Sequence, residues 1–336
     1  MHFSLLTVLA SATLALAQNQ YQDAYSDVSF DLADNRAVKW MKDIPDNTPL
    51  HHLSIPGTHN SLTHKTNNEL ATYQNTNLKE QLNGGIRYLD INCRLAEDRL
   101  QIIHASFNTS YDLNYVLTTA YEFLEENPSE ALIMHIQKDI WRAGSDRDFQ
   151  AAFTRYMVPS EVEDEFSAIA EKSVHRIYSE EDRVREVPNL GNLRGQILIL
   201  QDFDTKPKGR FGIRWKSSAM TVTDWKVLLG PITKGIKWNF VWPNIQFAGM
   251  EKENKLHIIH TSMAVGSIPY RVAAGKKKEF RGMNGRLSNY LNGGTVLRTG
   301  IVVMDFPGKT LVNQILKRNL VLHPDRVEAD SSENTV

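Results

Sequence analysis

The chain has 336 residues, of which 41% are hydrophobic and 23% are charged, and its formal net charge is -1 at pH 7. This is the composition of a globular protein with enough apolar residues for a full core. The near-neutral charge argues against a dedicated nucleic-acid binder, and no internal run reaches the roughly 20 apolar residues of a membrane span.

The first 17 residues differ from the rest of the chain. They read MHFSLLTVLASATLALA, an apolar stretch that ends in Ala15-Leu16-Ala17. This is typical of a secretory signal peptide, although only His2 stands for the usual basic start. An N-terminal anchor or a buried helix is the alternative. We expect a secreted protein with a signal peptide over residues 1–17.

The remainder divides into three parts. We expect an N-terminal extension over residues 18–35, one domain over 36–322 and a disordered polar tail over 323–336. Asn108 begins an Asn-Thr-Ser acceptor, which predicts a glycoprotein if the chain is secreted from a eukaryotic cell. Cys93 is the single cysteine, so no intrachain disulfide can form.

Short apolar runs of strand length alternate with helical patterns along the domain. The predicted strands are residues 51–55, 86–92, 100–104, 131–137, 196–201, 238–242, 256–260 and 300–305. A helix is predicted from Asp112, a possible N-cap, to Asn127, and weaker helices over 145–157, 223–232 and 310–321. Near-continuous apolar strands suit a parallel sheet that is covered on both faces. The order predicts an α/β fold, a distorted TIM (β/α)8 barrel with irregular structure between residues 209 and 258. A doubly wound open sheet is the alternative.

Polar side chains follow these strands, where the active site of a barrel lies. In the second strand, alternation puts Tyr88, Asp90 and Asn92 on the inner face. The residues at or after the ends of the other strands are His59 and Asn60, His104, Gln137 and Lys138, Asp202 and Asp204, His260, and Asp305. A lone histidine at a strand end is more often structural, and Asp305 could start a turn or cap a helix. Convergence of many such groups favours a site, because two histidines and a carboxylate suffice for acid–base chemistry near neutral pH.

Four segments resemble the X region of phosphatidylinositol-specific phospholipase C, in its single-domain bacterial and fungal form. They are SIPGTHNSL, GGIRYLDINCRL, LQIIHA and LEENPSEALIMHIQKD; RGQILILQDF, LHIIHTS and GIVVMDFPG continue the similarity more thinly. The resemblance implies a distorted TIM barrel over residues 36–322 that cleaves the glycerol–phosphate bond of phosphatidylinositol. Glycosylphosphatidylinositol anchors share this bond and are possible substrates.

The resemblance also implies roles for three residues. His59 would be the general base that takes the proton of the inositol 2-hydroxyl, and Asp305 would orient His59 and stabilise its cation. His104 would be the general acid on the departing diacylglycerol oxygen. The first products would be diacylglycerol and inositol 1,2-cyclic phosphate.

The source of positive charge at the phosphate stays open in this interpretation. Metal-independent bacterial members carry an arginine where this chain has Asn92. The calcium ligands of the metal-dependent members match Asn60, Asp90, Asn92 and Gln137, and one carboxylate among four ligands predicts weak binding. Three alternatives follow: a weak calcium site, a metal-independent enzyme in which Lys138 or Arg94 supplies the charge, or a low or lost activity.

Substrate and membrane contacts complete the prediction. Asp202, Asp224 and His260 are expected to bind inositol hydroxyls beside Trp225 as an aromatic wall, with an N-cap role as the alternative for Asp224. Loops 206–217 and 275–282 combine basic and aromatic residues. They could touch an anionic lipid surface, or they could be ordinary solvent-exposed loops. We expect a monomer that meets a phosphatidylinositol-type lipid at the membrane surface. The competing functions are a glycerophosphodiesterase or sphingomyelinase-like barrel, and a catalytically silent barrel that binds inositol lipids or glycans.

Overall fold

A mostly parallel, curled sheet is the frame of the molecule. The computed structural model describes residue 24 and residues 27–104, 107–139, 145–160, 164–178, 186–205, 211–225, 232–262, 267–276, 279–294 and 296–322. The sheet strands are β1 Ile55–Thr58, β2 Tyr88–Ala96, β5 Leu132–Lys138, β6 Ile197–Asp202, β7 Ile213–Arg214, β8 Met220–Thr223, β9 Leu256–His260 and β12 Ile301–Met304. They run in the order β7-β6-β5-β2-β1-β12-β9-β8, with every pair parallel. The predicted α/β, TIM-like fold is confirmed, and no pairing joins β7 to β8 within the part of the chain that is described.

An antiparallel hairpin extends β2 beyond this frame. Strands β3 Arg99–His104 and β4 Phe107–Asp112 pair antiparallel, and β3 pairs antiparallel with β2. The prediction that residues 100–104 form a parallel barrel strand is therefore wrong. The physical reason is the two-residue connection at Glu97, whose φ of 54° makes a tight turn, because a parallel crossover needs a dozen or more residues.

Helices cover the outer face of the sheet. They are α1 Leu78–Asn83, α2 Leu113–Glu126, α3 Asp146–Met157, α4 Ser167–Arg176, α5 Leu190–Leu193, α6 Ile232–Met250, α7 Pro269–Ala273, α8 Met283–Asn292 and α9 Lys309–Leu316. A hairpin of β10 Gly275–Lys276 and β11 Phe280–Arg281 and four 3₁₀ turns, Leu32–Asp34, Leu50–His52, Thr63–Lys65 and Lys317–Leu322, complete the described elements. Within that part of the chain no helix is long and apolar enough to cross a membrane.

Several predicted elements have the expected type, and two do not. The carboxylate of Asp112 caps α2 by accepting the Tyr115 N–H, and α3 and α9 lie where helices were predicted. Residues 238–242 are not a strand but lie inside α6, whose buried Lys237, Val241 and Ile245 recur every four residues. Residues 50–52 form a 3₁₀ turn, so β1 begins only at residue 55. Strand β8 was missed, and the helix expected over 223–232 falls mainly outside the described residues.

The apolar side chains divide between the outside and the inside of the curled sheet. Leu89, Ile91 and Cys93 of β2 are fully buried against the helices, as alternation predicts, while Tyr88 belongs to the inner cluster. Val28 of the expected extension packs into the outer cluster, so this segment contributes to the core. The expected signal peptide and tail lie outside the described residues. The core thus fixes β2 so that its polar residues face inward.

Candidate active site

The chain turns sharply after β1 and presents His59 at the carboxyl end of the sheet. Gly57 permits the close approach of β2, because a Cβ at this position would lie 2.8 Å from the Tyr88 Cβ. Asn60 has a left-handed φ of 45°, which asparagine tolerates better than most residues. The His59 carbonyl accepts a hydrogen bond from Gln74 Nε2 at 2.8 Å. These local features hold the imidazole at the sheet edge.

His59 and Asp305 form a buried pair. His59 Nδ1 lies 2.8 Å from Asp305 Oδ1, and the two residues are 6% and 2% exposed. Burial by itself lowers the pKa of His59, but the charge and hydrogen bond of Asp305, with Asp90 and Asp224 beyond, outweigh it and raise the pKa above its usual value. With Nδ1–H donating to the carboxylate, the proton-accepting nitrogen is Nε2.

The Tyr73 ring contacts both His59 and His104. Its ring meets the His59 ring edge-on with centroids 4.7 Å apart, and the His104 ring in the same way at 4.6 Å. The structure therefore brings both predicted catalytic histidines into contact with one phenol ring. Tyr73 was missed because it lies in a loop without a periodic pattern.

The four predicted calcium ligands lie together, but the side-chain oxygens of Asn60 and Asp90 are already engaged. Asn60 Oδ1 accepts a hydrogen bond from Asn92 Nδ2 at 2.7 Å. Asp90 Oδ2 accepts the Asn60 backbone N–H at 3.2 Å, and Asp90 Oδ1 lies 3.0 Å from His135 Nδ1. Gln137 pairs in register with Asn92. Since calcium takes six to eight oxygen ligands, this hydrogen-bonded, largely neutral set does not fit the ion. The described residues also contain no metal-ligating group of three histidine, cysteine or acidic side chains.

His135 is a site residue that the sequence interpretation missed. Besides Asp90, it contacts Asp202 Oδ2 through Nε2 at 3.3 Å, and its ring stacks on Trp215 with centroids 3.8 Å apart. Burial lowers the pKa of His135, but the hydrogen bonds and charges of Asp202 and Asp90 outweigh it and raise the pKa. Burial likewise disfavours the charged Asp90 carboxylate, yet His135 and His59 hold its pKa below the usual value. Alternation along β5 could have found His135, which is in phase with Gln137.

The two cations proposed to replace the missing arginine are each paired with a carboxylate outside this cluster. Lys138 Nζ lies 2.5 Å from Asp146 Oδ1. Arg94 Nε donates to Asp139 Oδ2 at 2.7 Å. These ion pairs link β2 and β5 to α3 and to the following loop.

The predicted substrate residues are brought together, except for the tryptophan. His260 lies beside His59 with ring centroids 6.0 Å apart, and its Nδ1 is 3.9 Å from Asp224 Oδ1. Burial lowers the pKa of His260 to about 3 against the opposing charge of Asp224, and its Nε2 has no hydrogen-bond partner within the described part of the chain. The Trp225 ring instead packs on Phe240 of α6 at 5.2 Å.

One of the two predicted membrane loops turns its aromatic residues inward. Phe211 meets the ring of Phe153 at 4.9 Å, and Trp215 stacks on His135. Residues 206–210 lie outside the described part. The aromatic side chains of loop 206–217 are therefore committed to packing, whereas Phe280 in the β10–β11 hairpin is half-buried.

The fold and the site together define a class of protein, an α/β barrel with acid–base side chains at the carboxyl ends of parallel strands. Residues 46–202 match the family model of the phosphatidylinositol-specific phospholipase C X domain. The 1-phosphatidylinositol phosphodiesterase of Listeria monocytogenes is 30% identical over 297 residues, which cover 84% of this chain and 84% of that protein. The chain belongs to the phosphatidylinositol-specific phospholipase C family.

Solved structures agree with this assignment. The phosphatidylinositol-specific phospholipase C from Listeria monocytogenes has a TM-score of 0.69 at 26% identity, covering 84% of this chain and 99% of that one. A Staphylococcus aureus enzyme shares the fold, with a TM-score of 0.66 over 86% of this chain and 99% of that one at 18% identity. The human PI-PLC X domain-containing protein 1 is 29% identical over 120 residues, 26% of this chain and 36% of that protein.

Proposed function

We propose that this protein cleaves phosphatidylinositol-type lipids by two-histidine acid–base catalysis. The observation that carries the proposal is the buried His59–Asp305 pair at 2.8 Å, with the His59 and His104 rings both in contact with Tyr73. The names of the homologous phosphodiesterases support the same substrate class. When a hydroxyl group of the substrate itself attacks phosphorus, the reaction needs a general base at the attacking oxygen and a general acid at the departing oxygen.

The proposed reaction moves two protons. His59 Nε2 takes the proton of the inositol 2-hydroxyl, whose oxygen then bonds to phosphorus. The Asp305 carboxylate accepts a hydrogen bond from the Nδ1–H group of His59 and stabilises the imidazolium that forms. As the bond from phosphorus to the glycerol oxygen breaks, His104 gives that oxygen a proton. The products are diacylglycerol and inositol 1,2-cyclic phosphate.

We infer that the chemistry is metal-independent and uses neutral donors at the phosphate. Asn60 Nδ2 lies 3.0 Å from His59 Nε2, and Asn92 Nδ2 is the next donor in the same chain of hydrogen bonds. Amide N–H groups placed in this way can donate to the non-bridging oxygens as charge develops on them. Asp202, Asp224 and His260 would bind the inositol hydroxyls, with Trp215 rather than Trp225 as the nearby aromatic ring.

The test measures phosphatidylinositol hydrolysis in vesicles by the wild type, His59→Ala and His104→Ala, each with added calcium and with excess chelator. Each alanine variant should lose about 10²–10⁴-fold in rate. Equal wild-type rates with calcium and with chelator support the metal-independent reading, whereas strict dependence on calcium would overturn it. A folded wild type without activity in either buffer would favour the silent lipid-binding barrel, for which Asn92 and Gln137 in place of charged residues are the specific observation.

We further propose that the protein is secreted as a glycosylated monomer that touches the membrane through the 275–282 hairpin. Asn108 is exposed on β4 and so is accessible to glycosylation, and Lys276 with Phe280 gives the hairpin a basic and aromatic character. Charge removal at Lys276, Lys277 and Lys278 should weaken sedimentation with anionic vesicles. Unchanged sedimentation would exclude this hairpin. Secretion and glycosylation are tested by recovery from the medium and by a mass shift with glycosidase.

A further inference from the structure

Tyr73 is a buried aromatic residue that contacts both histidines of the proposed mechanism and has no role in it. We propose that Tyr73 is a positioning residue that holds His104 at the correct distance from His59. This inference rests on the proposed function, in which the two histidines are the general acid and the general base.

The ring contacts give Tyr73 this position. The His59 ring stands at 81° to the Tyr73 ring, and the His104 ring at 70°. Edge-to-face contacts of this kind have a preferred distance and direction, so they fix orientation as well as separation. Tyr73 is fully buried, and its ring therefore has little freedom to follow a displaced histidine.

The backbone of Tyr73 is tied to the strands that carry the other site residues. Its carbonyl accepts the Phe306 N–H at 3.0 Å, directly after Asp305, and its own N–H donates to Thr63 Oγ1 at 3.0 Å. The next residue, Gln74, donates from Nε2 to the carbonyls of both His59 and Met304, at 2.8 and 3.0 Å. The phenol ring is thus fixed relative to β1 and β12.

The two histidines differ in how they are held. His59 follows β1 in the middle of the sheet and is fixed by Asp305 at 2.8 Å. His104 ends β3, in the antiparallel hairpin that projects from the sheet, and it is only partly buried. The hairpin is held to the barrel by its pairing with β2 and by Tyr111, which hydrogen-bonds to His64, and the Tyr73 ring adds a direct contact at His104. Removal of the ring should therefore displace the acid more than the base.

This asymmetry predicts a specific kinetic signature. An alkyl leaving group needs a proton as the bond to phosphorus breaks, whereas a 4-nitrophenyl leaving group departs as a stable anion without one. We expect Tyr73→Leu to lower kcat about 10–100-fold on a soluble alkyl ester of inositol 1-phosphate, with little change in KM. On the 4-nitrophenyl ester its kcat should stay within about threefold of the wild type, because His59 remains in place.

The experiment compares both esters for the wild type, His104→Ala, Tyr73→Leu and Tyr73→Phe, with rates referred to folded protein. Tyr73→Phe keeps the ring and should match the wild type, because the hydroxyl makes only a 3.4 Å contact with the Leu70 carbonyl. Tyr121→Leu is the matched control: Tyr121 of α2 is equally buried, and its hydroxyl lies 2.7 Å from Ser173 Oγ of α4. It should lower stability without changing the ratio of the two rates.

Equal losses on the two esters in Tyr73→Leu, or a Tyr73→Phe variant as impaired as Tyr73→Leu, would overturn the positioning role. If Tyr73→Leu does not fold, Tyr73→Met, which fills a similar volume without a flat ring, is measured against the same expectation. A wild type that cleaves neither ester refutes the proposed function itself. If His104→Ala lowers kcat selectively on the alkyl ester and neither Tyr73 variant does so, the proposed function stands and only the inference about Tyr73 is refuted.

Discussion

Replacement of Asp305 by asparagine is the most direct probe of the proposed base. The substitution keeps the size of the side chain and removes the charge that lies 2.8 Å from His59 Nδ1. The pKa of His59 is raised because Asp305, Asp90 and Asp224 together outweigh the effect of burial. Asp305→Asn removes the largest of these favourable charges, so burial should then lower the pKa of His59.

The expected size of the effect follows from the geometry. Two unit charges at 2.8 Å attract by about 6 kcal/mol at an effective dielectric constant of about 20. Part of this attraction offsets the desolvation of the buried pair, so we expect the imidazolium in the transition state to lose about 3–5 kcal/mol. Such a loss lowers kcat by about 10²–10⁴-fold.

The assay is kcat/KM for a soluble inositol phosphate ester as a function of pH. His59 must be neutral to act as the base, so the rate rises with pH through its pKa, which lies above 6.5 in the wild type. In Asp305→Asn the rising limb of the profile of kcat/KM against pH should move to lower pH, and the maximal kcat/KM should fall. Asp164→Asn, which changes a surface ion pair with Arg155 of α3, is the control and should keep the wild-type limb. If the rising limb stays at the same pH in Asp305→Asn, the limb does not reflect the ionisation of His59 paired with Asp305.

Two further predictions concern stability. Glu130→Gln should lower the free energy of unfolding by about 3–5 kcal/mol in urea titrations, because it leaves the fully buried Arg87 without its carboxylate partner; an unchanged midpoint would contradict this. Gly57→Ala should cost about 1–3 kcal/mol and also reduce turnover, since the new methyl group would lie 2.8 Å from the Tyr88 Cβ beneath the turn that carries His59. A Gly57→Ala variant with wild-type melting temperature and rate would refute the packing argument.

Periodicity predicted the fold wherever one face of an element decides its burial. Leu89, Ile91 and Cys93 lie against the helices because alternation is enforced by the covered outer face of the sheet. The same method failed at residues 238–242, since a five-residue run with four apolar residues is equally compatible with a strand and with one side of a long helix. It also failed at residues 100–104, where a two-residue turn rather than any strand pattern sets the direction of pairing.

The sequence predicted those residues of the candidate site that lie at the ends of parallel strands. His59, His260 and Asp305 follow parallel strands, and the register of the sheet brings them to one edge. Tyr73 reaches the site from a loop, and Trp215 from a strand of two residues, so no sequence period marks either one. Their positions depend on long-range contacts that local sequence does not encode.

The unpaired seam of the sheet has a consequence for association between molecules. A closed barrel has no edge strand, whereas the sheet of the described residues ends in β7 and β8, and an end strand that leaves backbone donors and acceptors unpaired invites strand addition from a second chain. Here β7 has two residues and β8 has four. Edges this short offer too few consecutive backbone groups to template a foreign strand, so these two described end strands carry little risk of edge-to-edge aggregation.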